Sequence, residues 1–181
     1  MHIYVNFCIS YILIRIVYWD SIESMNKIIK QGNLSGTITI PSSKSQTIRA
    51  LLIAAAAKGV SRLYNPLESQ DTLSCSVFCK SLGAEIVKTN EYWEITGISG
   101  TEKVRELQLT YTEENPLILD VGNSGTTLYL GAGLAASLGI PVILTGDEQI
   151  RSRPVENLLN SLQDLGADVS YGMKGARLNP S

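Results

Sequence analysis

Pro41-Ser42-Ser43-Lys44-Ser45-Gln46-Thr47-Ile48-Arg49 leads without a break into the apolar run Ala50 to Ala57. Small hydroxyl residues followed by eight residues dominated by alanine and leucine predict a buried helix with its N-terminus in this stretch. Just before it, Thr37-Ile38-Thr39-Ile40 alternates β-branched residues with period two, the pattern of a short strand. A strand turning directly into a helix leaves several backbone N–H groups unpaired at the helix N-terminus, where the helix dipole also favours negative charge. Lys44 adds a full positive charge there, Ser45 a hydroxyl, and Arg49, four residues beyond Ser45, projects from the same face one turn later. Two readings fit these residues. Either Ser43 or Ser45 merely caps the helix while the cations are solvated, or the turn binds an anion.

Working outward, the helix should stop near Gly59 and give way to a short strand at Ser61–Tyr64, broken by Asn65-Pro66. Asp71-Thr72 opens a second helix with Leu73, Val77, Phe78 and Leu82 at helical spacing, ending at Gly83. Ala84–Thr89 and Glu91–Thr96 then read as two strands joined at Asn90. The order is strand, helix, strand, helix, strand, strand.

That order returns in the second half, with some of the same letters. Leu82-Gly83-Ala84 recurs as Leu165-Gly166-Ala167, and Lys58-Gly59-Val60 is matched by Leu138-Gly139-Ile140. The register sets Ser43-Lys44-Ser45 opposite Asn123-Ser124-Gly125, so Gly122-Asn123-Ser124-Gly125-Thr126-Thr127 heads its own helix. By itself this glycine-rich turn is equally a plain turn with a cap; as the twin of a lysine-bearing turn it is half of one anion site, and Gly125 lets the backbone approach a ligand closely. Between the units, residues 97–116 are polar, with a strand expected at Leu107–Leu109. Val142–Thr145 reads as a strand, followed by a loop carrying Arg151 and Arg153 and a helix from Pro154 to Leu165. A guanidinium at a strand-to-helix junction suits phosphate or carboxylate recognition.

Composition limits the function classes. Fifteen basic against seventeen acidic residues in a chain of 181 argue against a general nucleic-acid or membrane binder, so cation chemistry must be local. Three cysteines, Cys8, Cys75 and Cys79, and one histidine, His2, without metal-ligand spacing, point to neither a disulfide framework nor a metal site. Cys75 and Cys79 read as small core residues, and a reducing cytoplasmic location fits. Phe7 to Trp19 is apolar but interrupted by Arg15 and too short to span a bilayer. Residues 1–24 are an apolar extension of unknown role, with Met25 the expected functional start.

Taken together, PSSKSQTIRALLIAAAAKG, LESQD, LDVGNSGTT and LTGDEQIRSRP, in that order from about Met25 onward, resemble the 5-enolpyruvylshikimate-3-phosphate synthase family. The related UDP-N-acetylglucosamine enolpyruvyl transferases carry Asn after the lysine where this chain has Ser45. The resemblance implies an α/β fold of the inside-out, enolpyruvyl transferase-like kind built of βαβαββ units. Two such units are expected here, at about 37–97 and 107–181, making residues 25–181 an incomplete domain. It implies transfer of the enolpyruvyl group from phosphoenolpyruvate to the 5-hydroxyl of shikimate 3-phosphate, a step of the shikimate pathway to chorismate and the aromatic amino acids. No metal or organic cofactor is required. By position, Lys44 matches a lysine touching both substrates, Ser45 and Arg49 match shikimate 3-phosphate contacts, Gly125 the glycine beside phosphoenolpyruvate, and Arg153 the arginine on its phosphate. Asn123, Thr126 and the acidic Asp71 are further binding candidates.

The chain departs from the family pattern at Ser42 (usually Gly), Ile48 (commonly His) and Tyr129 (often Arg). The family enzyme is a longer, two-domain protein whose general acid/base Asp and Lys lie outside the matched region, so no catalytic residue is expected in this chain. It is expected to be an N-terminal piece, inactive alone, whose second domain would come from another chain if at all. The alternative is a non-catalytic anion-binding or interaction module of the same fold.

Overall fold

The computed structural model describes residues 36–172 and 175–179; the apolar stretch Phe7–Trp19 and the expected start at Met25 lie outside them. The chain divides into a segment ending at Pro41 and a body beginning at Ser42. Residues 36–43 form neither helix nor strand, which corrects the strand expected at Thr37–Ile40. Period-two alternation makes a strand only where a partner supplies the ladder and a core takes one face; Ile38 and Ile40 are both exposed.

In the body, α1 (Lys44–Ala56) is followed by β1 (Val60–Tyr64), α2 (Gln70–Ser81), β2 (Glu85–Lys88) and β3 (Tyr92–Thr96). The second unit holds β4 (Leu117–Asp120), α4 (Gly125–Ser137), β5 (Val142–Thr145), the single-turn α5 (Glu148–Arg151), α6 (Glu156–Asp164), β6 (Asp168–Gly172) and β7 (Gly175–Asn179). Between them, α3 (Glu102–Thr110) replaces the strand expected at Leu107–Leu109. Leu107 and Leu109 alternate over too few residues to decide the period, whereas Val104, Leu107 and Tyr111 lie at helical spacing and pack against the core while Leu109 points to solvent. The Gln108 side-chain amide also donates to the Leu138 carbonyl at 2.8 Å, tying α3 to the end of α4.

The repeat holds in three dimensions. One sheet has the order β1-β3-β2, all antiparallel; the other has β4-β5-β7-β6, in which β5-β7-β6 repeats the first sheet and β4 adds a parallel edge strand. α1 and α4 are each 13 residues long and begin in the same way. Both helices are apolar around most of their circumference and bury much of it, with Ile53 of α1 and Leu130 of α4 left exposed. Each sheet turns one face to the helices and the other outward: Ile86, Trp93 and Ile95 are buried while Val60, Tyr64 and Val87 are exposed, and Leu117 and Leu119 are buried while Ile118 is exposed. Helices inside and sheets outside give the expected inside-out α/β arrangement.

α2 sets the spacing between the units. Phe78, fully buried, presses its ring on α4 where Gly131 has no side chain; a β-carbon there would lie 2.7 Å from Phe78 Cζ. Cys75 and Cys79 are both fully buried on the same helix, as expected of core residues, and the Cys75 thiol donates to the Ile48 carbonyl at 3.9 Å.

Candidate functional site

The two helix starts match cap for cap, with Ser43 opposite Ser124, which corrects by one residue the register expected from the sequence. Ser43 caps α1 by accepting from the Gln46 N–H, and Ser124 caps α4 by accepting from the Thr127 N–H. The Thr47 and Leu128 amides close the first helical bonds onto the carbonyls of those same serines. The caps therefore occupy the third and fourth amides of each helix. The first two, of Lys44 and Ser45 in α1 and of Gly125 and Thr126 in α4, point out past the end. Ser43 is therefore the cap, and Ser45 is the second residue of α1.

Around α1, the chain from Leu67 to Asp71 is hung on Thr47. The Leu67 N–H donates to Thr47 Oγ1 at 3.0 Å, and Thr72 Oγ1 donates back to the Leu67 carbonyl at 2.8 Å. Ser42, where a glycine was the family expectation, uses its hydroxyl to donate to the Asn65 carbonyl. This brace delivers Asp71, in the first turn of α2, to Lys44: Nζ lies 2.6 Å from Asp71 Oδ2. The lysine is half exposed, so the pair is worth only about 0.2–1 kcal/mol. Arg49 folds back along α1 to donate to the Ser45 carbonyl at 3.2 Å, and it also lines a groove with Leu130 and Leu134 of α4. It faces the second unit.

At α4, Gly122 adopts a positive φ of 59°, and its N–H donates to Asp120 Oδ1 at 2.7 Å. The turn is then tied to the loop after β5. The Asp147 N–H donates to the Gly122 carbonyl, and the Asn123 side-chain amide donates to Asp147 Oδ2 at 2.5 Å and to Gln149 Oε1 at 3.1 Å. Asn123 is thus a brace between two loops, with its donors engaged inside the protein. Asp147 also caps α5 by accepting from the Ile150 N–H. That single turn of helix, read from the sequence as loop, moves the start of α6 to Glu156, two residues past Pro154.

The brace brings Arg153 onto Gly125. A β-carbon on residue 125 would stand 2.8 Å from Arg153 Nη1 and 3.0 Å from Cζ, so the guanidinium lies directly on the first residue of α4. A cation against the positive end of a helix is repulsive. Among the described ion pairs, none supplies a carboxylate to Arg153. Guanidinium and helix amides together form a place that an anion would stabilise.

α2 joins the two turns. Ser74 stands one turn after Asp71 on α2, about 4.5 Å along the axis. A β-carbon on Gly122 would meet Ser74 Oγ at 2.4 Å. One face of α2 therefore touches the Lys44 turn through Asp71 and the glycine-rich turn through Ser74. Of the expected residues, Lys44 and Gly125 open α1 and α4, Arg153 lies on Gly125, and Arg49 stands one turn into α1 beside α4, while Thr126 follows Gly125, half-buried. Ser74, Asp147 and Gln149 were not singled out from the sequence. A single serine inside a helix has no local signature; the Gly-Asp after β5 did carry one, since Asp is a strong cap. Tyr129, read from the sequence as a lost charge, donates from its phenol to the Pro154 carbonyl at 2.7 Å.

Among the described residues, no cluster of His, Cys, Asp and Glu could hold a metal ion, and no helix is long and apolar enough to cross a membrane.

Known proteins resemble this chain in sequence and in fold. The chain is 40% identical over 141 residues to the 3-phosphoshikimate 1-carboxyvinyltransferase of Acetivibrio thermocellus, matching 78% of this chain and 31% of that protein. It is 42% identical over 147 residues to that of Methanothermobacter thermautotrophicus, matching 81% and 32%. The chain thus spans about a third of the length of these relatives. Its fold superposes on the EPSP synthase from Acinetobacter baumannii with a TM-score of 0.63 and 24% identity, covering 80% of this chain and 32% of that one. With residues 28–179 matching the family model of EPSP synthase (3-phosphoshikimate 1-carboxyvinyltransferase), the chain belongs to the EPSP synthase family.

Proposed function

We propose that these two helix ends hold the substrates of enolpyruvyl transfer from phosphoenolpyruvate to the 5-hydroxyl of shikimate 3-phosphate. Both molecules are polyanions, and holding them side by side requires cations and fixed N–H donors that cancel their repulsion before any bond is made. In this reading Arg153 and the Gly125 and Thr126 amides take the phosphate of phosphoenolpyruvate. Ser45 and Arg49 take shikimate 3-phosphate, and Lys44 stands between the two. Asn123 acts through its neighbours, by holding the Arg153 loop, whereas Asp71 pairs with Lys44 in the free protein and competes with an incoming anion for it. The observation that carries the reading is the guanidinium of Arg153 lying on Gly125 at the start of α4. Proton transfer to and from the reacting carbons falls to groups outside these residues, so the chain by itself is a binding half-site.

Calorimetric titration of the purified chain with phosphoenolpyruvate in the presence of shikimate 3-phosphate tests this. Binding is expected, weakened at least about tenfold by Arg153→Ala or Lys44→Ala, as loss of charge-assisted hydrogen bonds requires. Released phosphate should stay at background. Equal binding by wild type and both variants, or none by wild type, would overturn the reading.

A further inference from the structure

We propose that Tyr129 is a positioning residue that fixes Arg153 over Gly125 by way of the Pro154 carbonyl. The inference deepens the reading of the site given above and rests on it for the identity of the anion.

Three observations meet here. Tyr129 is four residues after Gly125, so the two stand one above the other on the same face of α4. Its phenol donates to the Pro154 carbonyl at 2.7 Å across 25 residues of sequence. Arg153, the residue before that proline, has its guanidinium on Gly125. The backbone at 153–154 is therefore held from two sides: the Arg153 N–H donates to the Ile150 carbonyl at 3.1 Å from the α5 side, and Tyr129 grips the next carbonyl from the α4 side. Pro154 has no N–H of its own to contribute, and its ring restricts the backbone at this point. Without the phenol, the α4 side of the grip is lost.

The geometry also gives the tyrosine a reason for being there. Arg153 is exposed, and a long side chain left to itself would sample many rotamers away from the repulsive helix end. Gripping the backbone on α4, one turn below the anion-facing amides, keeps the guanidinium facing those amides before any ligand arrives. The benefit is preorganisation: the ordering of Arg153 is complete in the free protein and does not subtract from binding. A tyrosine is long enough to span from α4 to the loop while keeping its ring packed against the core, where it is half-buried.

Tyr129→Phe keeps the ring and removes only the donor. The test is 15N NMR of the full chain, following the Gly125 amide and the Arg153 Nε–H, first without ligand and then in a titration with phosphoenolpyruvate. In the free protein, Tyr129→Phe should shift the Gly125 amide and raise the mobility of Arg153 Nε–H. On titration the variant should bind about 3- to 10-fold more weakly than wild type, the usual span for one hydrogen bond. In an Arg153→Ala background the same substitution should leave affinity unchanged, a coupling that a purely structural role would not produce. An unchanged Arg153 signal in Tyr129→Phe, or an equal affinity loss with and without Arg153, overturns the inference. If wild type and Arg153→Ala bind phosphoenolpyruvate alike, the anion reading fails, while the free-protein spectra still decide the role of Tyr129.

Discussion

Two glycines in α4, two residues apart, should respond differently to alanine. At Gly133 an added β-carbon meets nothing within 4 Å and the position is exposed, so Gly133→Ala should act through helix propensity alone and stabilise by about 0.8–1.0 kcal/mol. At Gly131 the same propensity gain applies, but the new carbon would stand 2.7 Å from Phe78 Cζ and 3.1 Å from Cε1 and Cε2. Contacts between carbons settle near 3.5–4.0 Å, so the ring or the helix must retreat by about 1 Å. Phe78 is fully buried and its neighbours are close-packed, so the retreat costs about 1–3 kcal/mol. Subtracting the propensity gain leaves Gly131→Ala neutral to about 2 kcal/mol destabilised, and the gap between the two variants at about 1–3 kcal/mol. Urea denaturation followed by far-UV circular dichroism measures both. Phe78→Leu supplies the control, because a smaller side chain opposite residue 131 should absorb much of the clash. If Gly131→Ala stabilises as much as Gly133→Ala, α2 and α4 are not in contact as described. The consequence reaches the site, since this contact sets the distance at which Asp71 and Ser74 meet the two turns.

Asp71→Asn removes the carboxylate that competes for Lys44, and should raise affinity for phosphoenolpyruvate by about 1.5- to 5-fold at low ionic strength, an effect that calorimetry should find shrinking as salt is added. Gly125→Ala, by displacing the guanidinium of Arg153, should weaken the same binding about ten- to hundredfold without lowering the melting temperature; a loss of less than twofold would contradict the contact. Cys79 is held protonated by its hydrogen bond with Cys75 and by burial, while the same bond pulls Cys75 the other way, so the pair keeps one proton far into the alkaline range. Neither thiol reaches solvent, so iodoacetamide at pH 8 should modify Cys75 and Cys79 only at the rate of protein opening. Mass-mapped labelling that is fast and insensitive to urea would refute that burial.

Much of this was legible along the chain because the signals are local. Ser43 and Ser124 cap helices, Gly59, Gly83, Gly139 and Gly166 sit at the positive φ that follows a helix, and Phe78 and Leu82 fall at helical spacing. Each of these depends on atoms within a few residues, and the repeat shows them twice. The motifs are local in the same sense, and the family resemblance rests on them.

Other features required partners far away in sequence. Thr37–Ile40 had the letters of a strand, but a ladder needs a second chain segment at the right register, and no pattern of four residues can supply one. Leu107 and Leu109 fitted either period until the core took Val104, Leu107 and Tyr111 together. That Asn123 ties its turn to the loop after β5 depends on Asp147 and Gln149, far along the chain, engaging its amide. Sequence alone determined where the helices start and which cations stand at their ends, since caps and charges are properties of neighbouring residues. Only tertiary structure decided what those cations face, because the meeting of Lys44 with Asp71, of Arg153 with Gly125 and of Tyr129 with Pro154 depends on packing that Phe78 and Gly131 set between distant segments.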